Sequence, residues 1–383
     1  MTKRDYGSGS LQERQPGHWR LTVELGRDPV TGRRRRRRFT VVGTKREAQR
    51  ALREALSERD TSGVDPSTIT TGDWLIGWLE RHVADGNLGP RTAERNRGIV
   101  RRHLLTTIGS IPLQSLRRQH VLDLKDQLSA ELAPATVHKI LGLLRQGIEG
   151  AVVGELVTRN PAAAVPKPSA ASGVRERRAL DEHEIAQVLA AAAGTAYDVP
   201  LRFALATGVR QAELLGATWG ALDLDDGTFT VRRTVQHVAG EFLDLPPKTK
   251  RSRRTVELSA ATVALLRRHR ADQFETRLRV GSAWMDHELV FPNPLGSYQH
   301  RRTFYGGFRH LVAASGVGDP ESVTWHSLRH SAASIWIRAG VDLLTVSRRL
   351  GHASAAFTMD QYGHMVAGQQ AAAAAALDHL ISG

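Results

Sequence analysis

Apolar residues recur at helical spacing along most of the chain, and strand-like alternation is confined to short stretches. His18–Leu25 alternates apolar and polar residues, residues 27–32 (RDPVTG) have turn chemistry, and residues 33–42 form a second candidate strand. Lys45–Arg59 then carries Ala and Leu at helical spacing. The first 63 residues therefore predict a small module of a β-hairpin or sheet plus a helix.

From residue 68 to residue 165 the pattern is helical and contains no strand signal. Apolar stripes run through residues 74–79, 99–105, 117–132 and 134–156, which predicts a compact helical domain. Residues 166–177 combine prolines, small residues and no apolar periodicity, as is typical of a linker between domains.

The chain beyond residue 178 is predicted to be mainly helical. Strand-like residues 229–235 and 254–258 flank a basic turn, so a small sheet should lie among helices, and an alanine-rich helix is predicted near the C-terminus. The fold class is thus a multidomain protein, mainly α with small β-sheets, with a mixed α+β domain over residues 178–383.

Charge changes this picture, because the chain carries a formal net charge of +14. The first 60 residues hold 16 Lys or Arg and only 8 Asp or Glu. In a strand, six consecutive arginines would send three side chains to each face, and a two-stranded ribbon fits a DNA major groove. A solvated charge run is the plainer alternative. The candidate DNA-binding residues are Arg33, Arg34, Arg35, Arg36, Arg37 and Arg38.

Several function classes are excluded by what the sequence lacks. There is no cysteine, which removes disulfides, thiolate metal sites and thiol nucleophiles. No GxxxxGK[ST] loop, HExxH helix or two-metal acidic cluster is present, so we expect no cofactor and no metal. No apolar stretch approaches the length of a membrane span, and we expect a cytoplasmic protein without a membrane partner.

Four segments of the last 180 or so residues carry candidate chemistry. TGVRQAEL sets an arginine where one helix ends and the next begins, and PKTKRSRRTV is a basic turn. HSLRH sets a histidine and an arginine one helical turn apart, and LGH is followed by a tyrosine. Taken alone, a His or Tyr of this kind is more often structural. The candidates are Arg210, Glu213, Lys248, Lys250, His326, Arg329, His352 and Tyr362.

The basic turn is notable for its lysines. The chain has 7 lysines beside 46 arginines, yet two of the lysines lie in this turn. A lysine can release its proton when its pKa is depressed, so it can act as a general acid where arginine cannot. Spacing alone leaves open whether Lys248 or Lys250 has this role, and Lys248 is ranked first.

In this order, the segments resemble the catalytic domain of the tyrosine recombinases, the phage integrase family. The resemblance covers residues 178–365 with sharp motifs and extends more loosely upstream. There the helical segment resembles a core-binding domain, and the N-terminal module resembles an arm-binding domain. One departure is Glu257, which stands where the family often has proline.

The resemblance implies the roles of the candidate residues. Tyr362 would attack a DNA phosphodiester and form a 3′-phosphotyrosyl bond, while Arg210 and Arg329 clamp the phosphate. Lys248 would protonate the leaving 5′-oxygen. His326 would assist tyrosine deprotonation or hold the phosphate, His352 would donate a hydrogen bond, and Glu213 would orient its neighbours. His330 and His364 have no implied role and are interpreted as structural.

The resemblance also implies a bacterial protein associated with the nucleoid, and it implies partners. Double-stranded DNA with core and arm attachment sites is expected, bound by a homotetramer that recombines DNA through a Holliday junction to integrate or excise a mobile element. An excision factor or a DNA-bending protein is a further candidate partner. The alternatives are a Xer-like resolvase, which would generally lack an arm module, and a catalytically silent DNA-binding regulator on the same scaffold.

Overall fold

A computed structural model describes residues 9–27, 34–62, 68–166, 168, 178–247, 250–352 and 354–363. The chain divides into two compact units, Met1–Gly173 and Val174–Gly383. Among the described residues, no helix is both long and apolar enough to cross a lipid bilayer. Arg33, Lys248, His364 and the predicted C-terminal helix lie outside the described residues, as do the side chains of Arg34, Arg35 and Lys250.

The first unit begins with strands and continues with helices. Its elements are β1 Ser10–Gln15, β2 His18–Arg27, β3 Arg34–Val42, α1 Lys45–Ser62, α2 Thr71–Ala84, α3 Pro90–Ile99, α4 Arg118–Glu131 and α5 Pro134–Val153. The predicted helices over residues 45–59, 117–132 and 134–156 are confirmed to within a few residues.

The strands form an antiparallel sheet in the order β1-β2-β3, so the predicted hairpin has a third strand. β1 escaped the sequence pattern because its residues are almost all polar and exposed, as suits an edge strand. Trp19 and Leu21 of β2 pack against Ala48 of α1 on one face of the sheet. The opposite face is called the open face here, and its register places Arg20 opposite Thr40, Thr22 opposite Arg38 and Glu24 opposite Arg36.

The helices α2 to α5 enclose a separate core. Trp74 and Trp78 of α2 lie in it with Leu144 and Ile148 of α5. The two helices approach closely because α5 has glycine at position 147, where a Cβ atom would lie 2.4 Å from a methyl carbon of Leu75. The apolar stripes of the sequence therefore correspond to the buried faces of one helical cluster.

The second unit is mainly helical with short strands. Its elements are α6 Glu182–Ala192, α7 Asp198–Thr207, α8 Gln211–Leu214, β4 Leu222–Asp223, β5 Thr228–Thr230, β6 Thr234–Val238, β7 Glu241–Leu245, β8 Thr255–Glu257, α9 Ala260–Val280, α10 Arg301–Ala314, α11 Trp325–Arg338, α12 Leu343–Leu350 and α13 Ala355–Tyr362.

The strands of this unit form two separate sheets, in the order β4-β5-β8 and as the hairpin β6-β7. The single strand predicted over residues 229–235 is wrong, because the chain leaves the first sheet after Thr230 and enters the second at Thr234. β5 pairs with β8, which brings the basic turn back to the core containing Phe229.

Candidate active site

The TGVR segment lies at the C-terminal end of α7. Gly208 ends this helix in a left-handed conformation, with a φ angle of 64°. A side chain there would be blocked as well as strained, since a Cβ atom would lie 2.7 Å from Leu350 Cδ2 of the LGH segment. Glycine therefore allows these two motifs to touch, although more than 100 residues separate them in sequence.

Arg210 and Glu213 follow within one helical turn and bind each other. The Arg210 guanidinium donates to Glu213 Oε1 at 2.7 Å, and its backbone N–H donates to Oε2 at 2.9 Å. The Arg210 side chain is 38% exposed, whereas that of Glu213 is 2% exposed. Burial would raise the pKa of the Glu213 carboxyl, but Arg254 and then Arg210 outweigh it, so this pKa lies below its usual value.

Arg329 projects from α11 and is almost completely buried, with 2% of its surface exposed. Its guanidinium donates to the carbonyl oxygens of Gly208 and Leu350, each at 2.6 Å. Burial, helped by the positive charge of Arg210, lowers the pKa of Arg329 to about 9. Arg329 is still protonated at neutral pH, so this site holds a buried positive charge.

The two guanidinium groups meet at the LGH segment. Arg210 donates to the carbonyl of Gly351 at 3.3 Å, and Arg329 donates to that of the preceding Leu350 at 2.6 Å. Gly351 itself has a left-handed φ angle of 64°. The structure thus brings together the two arginines expected to clamp a phosphate, and they converge on one turn of backbone.

His352 follows directly and lies beside this positive pair. Its Nδ1 is hydrogen-bonded to Thr358 Oγ1 of α13 at 2.8 Å. Burial, followed by the charges of Arg329 and Arg210, lowers the pKa of His352 to about 3. The imidazole is therefore neutral at physiological pH and retains one N–H donor and one acceptor nitrogen.

Tyr362 ends α13 and is 4% exposed. Its ring packs in a small apolar cluster with Ile337 of α11 and Leu350 of α12. Burial raises the pKa of the phenol to about 12, although the nearby Arg329 acts in the opposite direction. The hydroxyl is therefore protonated and shielded from solvent in this arrangement.

The partner of the tyrosine hydroxyl is His330, for which the resemblance implies no role. His330 Nδ1 and Tyr362 Oη are 2.6 Å apart. The ring of His326 packs edge-on against that of His330, with centroids 4.6 Å apart. A sequence signal existed, because these histidines are four residues apart and so share one face of α11.

A buried arginine that sequence reasoning did not single out completes the cluster. Arg254, just before β8, donates to Glu213 Oε2 at 2.9 Å and to the Arg349 carbonyl at 2.6 Å. By contrast, Lys248 and the side chain of Lys250 are not among the residues that the structure describes. Among the described residues, no group of three His, Asp or Glu side chains is arranged to hold a metal ion.

This arrangement offers fixed positive charge, a neutral imidazole and a protonated phenol in one place. Such a set can stabilise charge on a pentacoordinate phosphorus without a metal, because arginine N–H groups bind phosphate oxygens in a fixed fork geometry.

Comparison with known proteins agrees with this chemistry. Residues 178–368 match the phage integrase family. An integrase of Streptomyces ambofaciens is 28% identical over 365 residues, covering 94% of this chain and 93% of the relative. A tyrosine recombinase XerC-like protein of Caldanaerobacter subterraneus subsp. tengcongensis is 25% identical over 382 residues, covering 95% of this chain and 96% of the relative.

Solved structures show the same fold. The Tn1549 transposon integrase in complex with transposon right end DNA has a TM-score of 0.67 and 17% identity, covering 82% of this chain and 99% of that one. The lambda integrase tetramer bound to a Holliday junction has a TM-score of 0.54 and 19% identity, covering 90% of this chain and 95% of that one.

Proposed function

The chain belongs to the phage integrase family of tyrosine recombinases, site-specific enzymes that cleave and rejoin DNA, and on this premise we propose that Tyr362 is its nucleophile. The phenolic oxygen forms a bond to phosphorus, and the bond from phosphorus to the 5′-oxygen breaks. The products are a 3′-phosphotyrosyl ester and a free 5′-hydroxyl. Attack by the 5′-hydroxyl of another strand reverses the step, so no nucleotide triphosphate is consumed.

The observation that carries this proposal is the convergence of Arg210 and Arg329 on the carbonyls of Gly351 and Leu350. Two guanidinium forks that are protonated at neutral pH and directed at one small volume suit the nonbridging oxygens of a phosphate, which gain charge in the transition state. Arg210 is the more exposed of the two, so we infer that an incoming phosphate meets it first.

We assign the tyrosine proton to His330 on the basis of the 2.6 Å contact. A phenol whose pKa is about 12 is a poor nucleophile at neutral pH, and an adjacent imidazole can accept its proton as the oxygen attacks phosphorus. His326 and the neutral His352 then serve as hydrogen-bond partners of the phosphate. Lys248, with Lys250 as its rival, protonates the leaving 5′-oxygen.

The burial of Tyr362 makes this arrangement a resting state. The side chain packs with Ile337 and Leu350 and is almost completely buried, so a DNA phosphate reaches its hydroxyl only after this packing opens. We propose that DNA binding opens the apolar packing around Tyr362 while its hydroxyl stays within reach of His330, which couples strand cleavage to occupancy of the site.

We further propose that residues 1–63 bind arm DNA, that residues 68–165 bind core DNA, that residues 178–383 carry the catalytic residues, and that residues 166–177 are the linker. The exposed arginines of the open face and the separate helical core support this division. The lambda and Tn1549 structures, solved with a Holliday junction and with transposon DNA, support assembly as a tetramer and a role in moving a mobile element.

The Xer-like alternative has some support, because one XerC-like relative matches 95% of this chain. Two observations favour an integrase. The N-terminal sheet has a basic face suited to a second DNA site, and the Streptomyces relative named an integrase matches 94% of the chain at slightly higher identity.

The proposal is tested with a nicked duplex that contains the core site protected by the wild-type protein in a footprinting assay. The nick lets the short fragment that carries the free 5′-hydroxyl diffuse away, so religation is prevented and the phosphotyrosyl adduct accumulates. We expect a denaturation-resistant protein–DNA adduct from the wild-type chain and none from Tyr362→Phe, which removes a single oxygen. An adduct formed by the phenylalanine variant would overturn the assignment.

A further inference from the structure

Arg254 contacts the motif cluster, by which we mean Arg210, Glu213, Arg329, His352 and Tyr362 with the LGH backbone. Its side chain is 6% exposed and that of Glu213 is 2% exposed. Two of its nitrogens donate to the two carboxylate oxygens, at 3.3 Å to Oε1 and 2.9 Å to Oε2. The remaining donors reach backbone, at 3.2 Å to the Ser252 carbonyl and 2.6 Å to the Arg349 carbonyl.

These contacts join three segments that lie far apart in sequence. The Glu213 carboxylate is shared, because each oxygen also accepts a hydrogen bond from Arg210. The Ser252 carbonyl belongs to the basic turn, and the Arg349 carbonyl lies two residues before Gly351. A Cβ atom on Gly351 would lie 3.1 Å from an Arg254 nitrogen, so the LGH backbone rests directly on this guanidinium.

We propose that Arg254 is a positioning residue for the reaction, an inference that rests on the proposed function of Arg210. A buried carboxylate needs a buried positive partner. With Arg254 in place, a buried guanidinium neutralises the negative charge of Glu213. Arg210 is then held in one orientation by Glu213, and its exposed side remains available to phosphate. Without Arg254, Arg210 becomes the sole charged partner of Glu213 and is drawn away from the scissile phosphate. The LGH turn loses its support in the same step.

The test compares Arg254→Met, Arg254→Lys and a matched control, Arg233→Met. Arg233 has the same type of bonding outside the site, since it binds the Asp244 carboxylate and the carbonyls of Gly216 and His287. Each full-length variant is assayed for core-duplex binding, adduct formation and thermal unfolding. A parallel substrate carries a methylphosphonate at the scissile position, which removes the charge of one nonbridging oxygen.

We expect Arg254→Met to bind core DNA but to form adduct about 100-fold more slowly, the scale of a reacting group displaced by about 1 Å. The loss of rate should be smaller on the methylphosphonate, because a displaced guanidinium loses more electrostatic stabilisation with a charged phosphate than with a neutral one. Arg210→Ala should show the same difference between the two substrates. Arg254→Lys should recover part of the rate, and Arg233→Met should change it by no more than about twofold.

A purely structural role would lower the unfolding temperature and leave the charged-to-neutral substrate ratio unchanged, and that result would overturn the inference. If Arg254→Met does not fold, the ratio measured for Arg254→Lys decides in the same way. Failure of the proposed function itself would look different, because the wild-type chain would then form no Tyr362-dependent adduct on either substrate.

Discussion

On the open face of the N-terminal sheet, Arg36 has 40% of its side-chain surface exposed, while Arg329 in the second unit is 2% exposed. Arg36 forms an ion pair with the half-exposed Glu24, and Arg38 is exposed to solvent opposite Thr22. Arg329 and Arg254 instead have their donors directed at backbone carbonyls and a buried carboxylate. One residue type thus serves two regions in opposite ways.

This difference in exposure determines how well each region should tolerate the substitution of an arginine. Exposed guanidiniums attract DNA through their charge. Their contributions to the binding free energy are roughly additive, and salt screens them. Buried guanidiniums act through geometry, and each has several fixed partners, so replacing one disturbs the others. We therefore expect graded losses from substitutions on the open face and abrupt losses from substitutions in the motif cluster.

Arg329→Lys should cause the greatest loss, because it keeps the positive charge but loses the planar fork of N–H donors. One ammonium on a flexible stem cannot hold the Gly208 and Leu350 carbonyls together. We expect the adduct rate to fall by about 1,000-fold and the free energy of unfolding to fall by about 3 kcal/mol. The measurements are adduct formation on the nicked core duplex and urea unfolding.

Arg338→Lys is the control for that substitution. It lies on the same helix and is 46% exposed, and within the described part of the chain its ion pair is a distant one, with Glu182 at 3.9 Å. Its effect on both measurements should be slight. A folded Arg329→Lys variant that retains a tenth of the wild-type adduct rate would show that charge alone is enough in the motif cluster too.

The second prediction concerns His330 and extends the comparison to the tyrosine. His330→Asn should slow adduct formation by about 100-fold at neutral pH, because the phenol loses its proton acceptor. The pKa of the Tyr362 phenol, about 12, sets the sign of the pH dependence. As pH rises towards that value, the phenolate fraction grows without help from a base, so the deficit of His330→Asn should shrink.

His310→Asn on α10 is the matched substitution, since that histidine is exposed. Rates are compared from neutral to mildly alkaline pH, in a range where the wild-type fold is retained. A deficit that stays constant with pH would assign His330 a role in packing rather than in proton transfer.

The sequence located most of this cluster because its members lie in short motifs. The motifs single out four of its members, and the structure brings all four together: Arg210, Arg329, His352 and Tyr362. Arg254 was missed because its role depends on a partner 41 residues away, Glu213, which a local pattern cannot reveal.

The strands were harder to predict than the helices for a related reason. A helix is determined by apolar spacing within one segment, and the predicted helices of the first unit are confirmed. A strand depends on a partner elsewhere in the chain. β7 (EFLDL) pairs with β6 and has a mixed, half-exposed pattern, so no alternation identified it.

The smallest expected effect tests the exposed side of the comparison. The open-face triple variant Arg20→Gln, Arg36→Gln and Arg38→Gln removes three charges from the side of the sheet opposite α1. If each guanidinium contacts one phosphate, the slope of log affinity against log salt for arm DNA should decrease by about 3, with affinity roughly tenfold weaker at moderate salt. Cleavage of the isolated core duplex should be unchanged, because the motif cluster lies in the second unit.

The control for this variant moves the same charge change to another surface. Arg46→Gln, Arg50→Gln and Arg53→Gln lie on α1 and are exposed, and glutamine is nearly as good a helix former as arginine. If arm binding depends on the open face, this second triple variant should keep most of the wild-type salt slope. Equal losses in the two variants would mean that the module attracts DNA through its net charge alone, and that the sheet presents no particular face to it.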